Sequence, residues 1–149
     1  MIKIKFGVRL NLMKKSLIFL VILFLTNLPS IYYSWYLKIY GFDTIQHFLG
    51  GFFVAMFMTA YLAEHLRQKY YYKNIIIITG ATVLVGVLWE FSEYTANQTL
   101  INPIYRWFGI KAYFMGDLRD TVKDLLMDNI GALAFCAFHF LRSGNAHKT

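Results

Sequence analysis

The stretch Asp120-Thr121-Val122-Lys123-Asp124-Leu125-Leu126-Met127-Asp128-Asn129-Ile130-Gly131-Ala132-Leu133-Ala134-Phe135-Cys136-Ala137-Phe138-His139-Phe140-Leu141 decides how the whole chain is read. Its uninterrupted apolar part, Ile130 to Leu141, is too short to cross a bilayer, which takes about 20 helical residues. It becomes a span only if Asp120, Asp124 and Asp128 enter the membrane on the same helix. These aspartates recur every fourth residue and so share one helix face. At 1.5 Å rise per residue they cover roughly 12 Å of depth.

Three other apolar blocks precede it, at about 16–37, 44–66 and 74–96, with the last block at 120–141. Of the 149 residues, 58% are hydrophobic and 15% charged, against about 45–50% and 25% in soluble domains. That excludes a disordered chain and marks a membrane protein. The net charge of +7 sits beside the apolar blocks. There it signals topology and anionic-lipid contact rather than nucleic acid. The expected architecture is all-α: a polytopic four-helix membrane bundle forming a single domain over residues 1–149.

The first block follows Met13-Lys14-Lys15 and resembles a secretory signal peptide. No small-residue cleavage pattern follows it, so it reads as an uncleaved helix, kinked at Pro29. Met13 is an alternative start to Met1, since Met1–Leu12 adds little except charge. The second and third blocks carry Gly50, Gly51, Ala55, Ala60, Gly80 and Gly86, small residues that let helices approach closely in lipid. Between the third and fourth blocks, Asn97–Leu118 mixes Tyr105, Trp107, Phe108 and Tyr113 with Arg106, Lys111 and Pro103. An interfacial segment with a short helix is expected there. Cys136 lies in an apolar run and reads as a packing residue.

Basic residues fall in the first tail (Lys3, Lys5, Arg9, Lys14, Lys15), the second loop (Arg67, Lys69, Lys73) and the last tail (Arg142, Lys148). The positive-inside rule puts these segments, and both termini, in the cytoplasm. Asp43, His47, Glu90, Glu93, Asn97, Asp120, Asp124 and Asp128 then gather at the extracytoplasmic end, and Glu64 alone among the acidic residues stays inside. Asp43 and His47 are one turn apart, and Glu90, Glu93 and Asn97 share a stripe. A carboxylate at mid-bilayer costs about 2.5–3.5 kcal/mol, so Glu90 and Asp128 are not expected to face lipid.

Carboxylates with one imidazole suit a divalent metal ion, the candidate cofactor, or a general acid and base with separated pKa values. Asp43, His47, Glu90, Asp120 and Asp124 are the candidate catalytic residues. Asp43, His47, Glu90 and Asp124 are the candidate metal ligands. Glu93, Asp128 and Asn129 stand behind them, and Arg106 and Arg119 are candidates for binding an anionic group. Plainer readings stand beside these. Asp43 or Asp120 caps a helix. His47 is a hydrogen-bonded packing residue. Asp124 and Asp128 pair with Arg119, Lys123 or Arg106. Glu93 is solvated at the interface. His65, His139 and His147 are background. Asn97-Gln98-Thr99 matches a glycosylation acceptor, with nothing else pointing to a secretory-pathway host.

Asp43-Thr44-Ile45-Gln46-His47-Phe48-Leu49-Gly50-Gly51, Trp89-Glu90-Phe91-Ser92-Glu93, Gly116-Asp117-Leu118-Arg119-Asp120-Thr121-Val122-Lys123-Asp124 and the closing Asp128 with Gly131-Ala132 resemble the YjdF-type family. Its members are small bacterial inner-membrane proteins of uncharacterised function. A looser similarity is to VanZ-like membrane proteins, associated with glycopeptide resistance. This chain departs from that pattern in having Asp128 where Asn is expected, and in lacking a clear match for the Arg before the last motif. Both resemblances imply a helical bundle with the acidic–His group as its site.

The function expected is a metal-assisted hydrolase or transferase acting on a lipid-linked or envelope substrate at the extracytoplasmic face. The alternative is a non-enzymatic ion- or proton-binding bundle, or a structural partner of another membrane protein. Four helices rarely enclose a transport path, so conduction would need an oligomer.

Overall fold

The computed structural model describes residues 6–67 and 69–145, with side chains through residue 139. Lys3, Lys5, His147 and Lys148 lie outside the described residues, as does the side chain of Arg142. All regular structure among the described residues is helical: α1 Phe6–Tyr33, α2 Trp35–Lys38, α3 Phe42–Tyr61, α4 Tyr71–Thr99, α5 Ile101–Phe108 and α6 Leu118–Asn145.

The helices depart from the expected blocks mainly at their ends. α1 begins well before Ser16 and runs through Pro29. Pro29 offers no N–H to the preceding turn. Polar side chains bond carbonyls there instead: Asn27 Nδ2 donates to Phe24 O at 3.0 Å and Ser30 Oγ to Thr26 O at 2.5 Å. α1 ends at Tyr33 rather than Leu37, because Ser34 turns left-handed at φ 58°. Gly41, at φ 75°, makes the turn into α3, where a side chain would be strained.

The second block was expected to reach Leu66, but α3 stops at Tyr61. The chain then turns, which tucks Leu66 fully into the core. Buried Asn74 fastens this loop, donating to Arg67 O at 2.9 Å and accepting from Arg67 N–H at 3.2 Å. α4 is longer than 74–96 at both ends. α5 is the short helix expected after it, closed by Gly109 at φ 68°. α6 starts at Leu118, where the Asp117 carboxylate accepts the Asp120 N–H at 3.0 Å. That is a helix N-cap, so Asp117 does the capping considered for Asp120.

α3 is the hub, packing against α1, α4 and most extensively α6; α4 also packs against α6. The α3–α6 contact depends on missing side chains. A Cβ on Gly51 would overlap the Asp128 backbone, and one on Gly131 would overlap the Phe48 carbonyl. Close backbone approach of this kind is how helices gain packing energy in lipid. Next to it lies an apolar core of Ala55, Leu66, Ile78, Ala132, Phe135 and Cys136. Phe52 meets Phe135 edge-on at 5.3 Å. Away from the core, Phe19 of α1 stacks on Phe53 of α3 at 4.5 Å. At the opposite end from Asp43, Arg9 donates to Glu64 Oε1 at 2.5 Å and to Tyr61 O at 3.2 Å. The guanidinium holds the Glu64 carboxyl below its ordinary range.

The outer surface is apolar. Val122, Leu126, Ile130 and Leu133 of α6 are exposed, as are Ile76, Leu84, Leu88 and Phe91 of α4. A water-soluble fold would leave no such continuous stripes uncovered. α1 and α4 are long and apolar enough to cross a membrane. α3 and α6 are not marked out in this way, since α3 carries Asp43, Gln46 and His47 and α6 carries Asp120, Lys123, Asp124 and Asp128. Length and composition therefore give two crossings where four were expected.

Candidate functional site

The first turns of α3 and α6 and the last third of α4 converge on one imidazole. His47 is 6% exposed. Its Nε2 faces Asp43 Oδ1 at 3.7 Å and Glu90 Oε1 at 4.0 Å, and its Nδ1 faces Asp128 Oδ1 at 3.5 Å. The i, i+4 spacing places Asp43 above His47 on α3. Gly86 on α4 makes room for Asp128, since a Cβ there would overlap the Asp128 carboxylate. Gly51 on α3 thus admits the Asp128 backbone and Gly86 on α4 its carboxylate.

Glu90 and Asp124 are buried, at 5% and 3% exposed. Glu90 Oε1 and Asp124 Oδ1 make no hydrogen bond and only face basic groups, His47 Nε2 at 4.0 Å and Lys123 Nζ at 3.4 Å. Such atoms are rare in folded proteins because each costs about 1–3 kcal/mol. Glu93, behind Glu90, accepts the Trp89 indole N–H at 2.8 Å.

Two groups of side chains are close enough to share an ion: Asp43, His47 and Asp124, and His47, Glu90 and Glu93. In each, one potential ligand atom per residue lies within 4.8 Å of the others. Bonds of about 2.1 Å to one metal would bring such atoms to about 3–3.5 Å, a small contraction. The carboxylate on His47 Nδ1 leaves Nε2 as the ligand atom, the usual support for a metal-bound histidine.

Lys123 supplies the cation at the mouth of the cluster. Its Nζ lies 2.5 Å from Asp120 Oδ1, 3.4 Å from Asp124 Oδ1 and 3.6 Å from Asp43 Oδ2. Asp120 joins the group through Lys123 and packs over Gly116. Asp43 makes no capping bond, since the N-cap of α3 is Gly41. Arg106 and Arg119 are exposed, and among the described residues neither pairs with the cluster. Asn129 is half-buried and takes no part in these ion pairs.

A neutral network adjoins the charged one. The Tyr36 hydroxyl lies against Asn27 Oδ1 and 2.9 Å from Gln46 Oε1, with one hydrogen to offer. Gln46 Nε2 donates to Thr26 Oγ1 at 2.6 Å. Burial, then the Glu93 and Asp43 charges, push the Tyr36 phenol well above its ordinary range, so it remains a neutral donor. Sequence reading missed these residues and also Trp89. The available signal was Asn27, an amide inside an apolar span that needs a partner.

Both networks open on a cavity of about 250 Å³ bounded by α1, α2, α3, α4 and α6. One end is polar, with Asn27, Tyr36, Asp43, Gln46, His47, Glu93 and Asp128; the other is apolar, with Leu20, Leu23, Val54 and Val85. Beyond it the core is built from Ala55, Ile78, Ala132 and Phe135.

A relative from Thermotoga maritima, described as an uncharacterized protein, is 29% identical over 109 residues, 72% of this chain and 52% of that one. The chain thus spans about half the length of that relative. No solved structure matches it. The family model described as a predicted membrane protein, DUF2238, matches residues 1–145, a match consistent with the YjdF-type resemblance. Apolar outer faces, two bilayer-length helices and a match over nearly the whole chain agree: this is a membrane protein embedded in lipid, and it belongs to the DUF2238 family.

Proposed function

We propose that the chain forms one four-span domain of the bacterial inner membrane, with both termini cytoplasmic. In this reading its acidic–His cluster binds a divalent cation near the extracytoplasmic face. The cation acts on the headgroup of a lipid-linked or envelope substrate, as in a metal-assisted hydrolase or transferase. The observation that carries this is the setting of His47, with Asp128 on Nδ1, and with Asp43 and buried Glu90, whose Oε1 makes no hydrogen bond, on Nε2. Asp43, Glu90, Glu93, Asp120, Asp124 and Asp128 crowd around Lys123 and His47. Such an excess of carboxylates over basic side chains favours a bound cation.

Four crossings are supported by α6 itself. Asp124 and Asp128 are buried, while Val122, Leu126, Ile130 and Leu133 are exposed. A helix whose deeper charged residues lie on its protected face can sit in lipid. α3, with 20 residues, is about 30 Å long.

The second reading is a structural ion-pair bundle, favoured by the three carboxylates around Lys123. The apolar core beyond the cavity argues against conduction.

Metal analysis of protein purified without chelator tests the first reading, wild type against His47→Ala plus Asp124→Asn. Bound divalent metal in the wild type and its loss in the variant is expected. No metal in either sinks it.

A further inference from the structure

Among the described residues, no Cα of α1 comes within 8 Å of one in α4, although both helices line the cavity. Phe24 of α1 meets Trp89 of α4 edge-to-face, with ring centroids 6.2 Å apart. The cavity is therefore a slot between two helices whose backbones stand apart, spanned by this aromatic pair. Its polarity is graded along its length. Descending α1 from Asn27 to Leu23 and Leu20, and α4 from Glu93 to Val85, these two walls change from hydrogen-bonding to aliphatic, while Asp128 stays against Gly86 on the α6 side. Thr82, at the deep end, has its hydroxyl turned onto Ile78 O at 2.9 Å and offers the slot only its methyl.

We infer that this slot holds the headgroup-proximal part of one hydrocarbon chain of a membrane lipid, entering from the bilayer past the Phe24–Trp89 pair, with the headgroup held at the Tyr36–Gln46–His47 end. The inference rests on the proposed function for the placement of the headgroup. Bilayer and slot are equally apolar, so the chain gains little by moving between them. Its role is positional: a chain anchored between α1 and α4 presents the headgroup linkage to His47 at a fixed depth, as orientation-based catalysis requires. The neutral network facing the same end suits the uncharged ester or amide that joins a headgroup to its chain, since the second Gln46 amide N–H is a donor and the Tyr36 oxygen an acceptor, neither adding charge.

The test is photolabelling in phosphatidylcholine nanodiscs with a diazirine-tailed phosphatidylethanolamine. Its headgroup carries both an ammonium and a phosphate, so the acidic cluster accepts it with or without a bound cation. Labelled residues are mapped by mass spectrometry, and metal content is measured on the same preparation. Label concentrated several-fold on Leu20, Leu23 and Val85, over the lipid-facing neighbours Leu84 and Leu88, is expected. Val85→Trp and Leu23→Trp should each fill the slot and abolish that concentration, with metal content unchanged. Either variant suffices if the other does not fold. Label spread evenly over Leu84, Val85 and Leu88, and indifferent to both variants, overturns the slot whatever the metal content. Concentrated label on a metal-free protein leaves the slot standing and removes the cation.

Discussion

Asp128 of α6 occupies the space that a side chain at Gly86 of α4 would fill. The two helices approach because one position has no Cβ, and the carboxylate admitted there holds the Nδ1 side of His47. Gly86→Ala forces Asp128 to move or α4 to shift. Overpacking of this kind costs about 1–3 kcal/mol, and the melting temperature in detergent should fall. Gly80 faces open space on the same helix. Gly80→Ala should leave that temperature unchanged or raise it, since Ala is favoured in helices by about 1 kcal/mol. Equal effects of the two substitutions would remove the close-approach argument.

Gly131 presents a harder constraint. Its neighbour is the Phe48 carbonyl, part of the α3 backbone. A side chain can rotate away from an added methyl, but a helix carbonyl cannot. Gly131→Ala should therefore destabilise more than Gly86→Ala. Thermal unfolding of both variants in the same detergent checks the order.

These glycines show what the sequence made legible. The acidic stripes on α3, α4 and α6, the i, i+4 pair Asp43–His47 and the apolar blocks follow from periodicity alone. The small residues announced close packing, but not that Gly51, Gly86 and Gly131 serve it while Gly80 does not, because a helix has several faces. Lys123 was legible as a charge, and its pairing was one of several weighed; which carboxylates it reaches depends on how α3 crosses α6. Tyr36, Asn27 and Gln46 were illegible as a group because they come from three helices, and uncharged polar residues are common near interfaces. The helix ends moved because tertiary demands decided them, as with Leu66, whose burial requires the chain to turn after Tyr61.

The support of His47 by Asp128 should appear in cation affinity. Carboxylates that orient a metal-bound histidine are worth about 10–100-fold in affinity. Asp128→Asn keeps the size and an acceptor but loses the charge, so manganese or zinc should bind about 10–100-fold more weakly. His47→Ala removes the shared ligand of both candidate groups and should abolish specific binding. Calorimetric titration in detergent distinguishes them; a histidine variant that binds as well as wild type would show that the imidazole is not a ligand.

Lys123 separates the two functional readings. Its side chain is 42% exposed, so where a bound cation takes over its charge, Lys123→Met should cost no more than about 1 kcal/mol. If the cluster is a cation site, the ammonium competes for Asp43 and Asp124, and its removal should tighten divalent binding. If the cluster is a structural ion-pair network, the same variant should unfold at markedly lower temperature and gain no affinity. Adding Asp124→Asn should then restore part of the lost stability, because it removes a carboxylate left without a counter-charge.

The number of crossings has an observable with opposite signs. On a Cys136→Ala background, cysteines are placed singly at Lys69 and Trp107, both exposed, and labelled with a membrane-impermeant thiol reagent in spheroplasts. With four spans and a cytoplasmic start, Lys69→Cys lies inside and labels only after permeabilisation, whereas Trp107→Cys lies outside and labels at once. If only α1 and α4 cross, the chain is outside from the end of α1 to the start of α4 and inside beyond α4. The two sites then exchange behaviour. The inward aspartates and outward aliphatic stripe of α6 favour the first pattern, because that stripe has no reason to be apolar outside lipid.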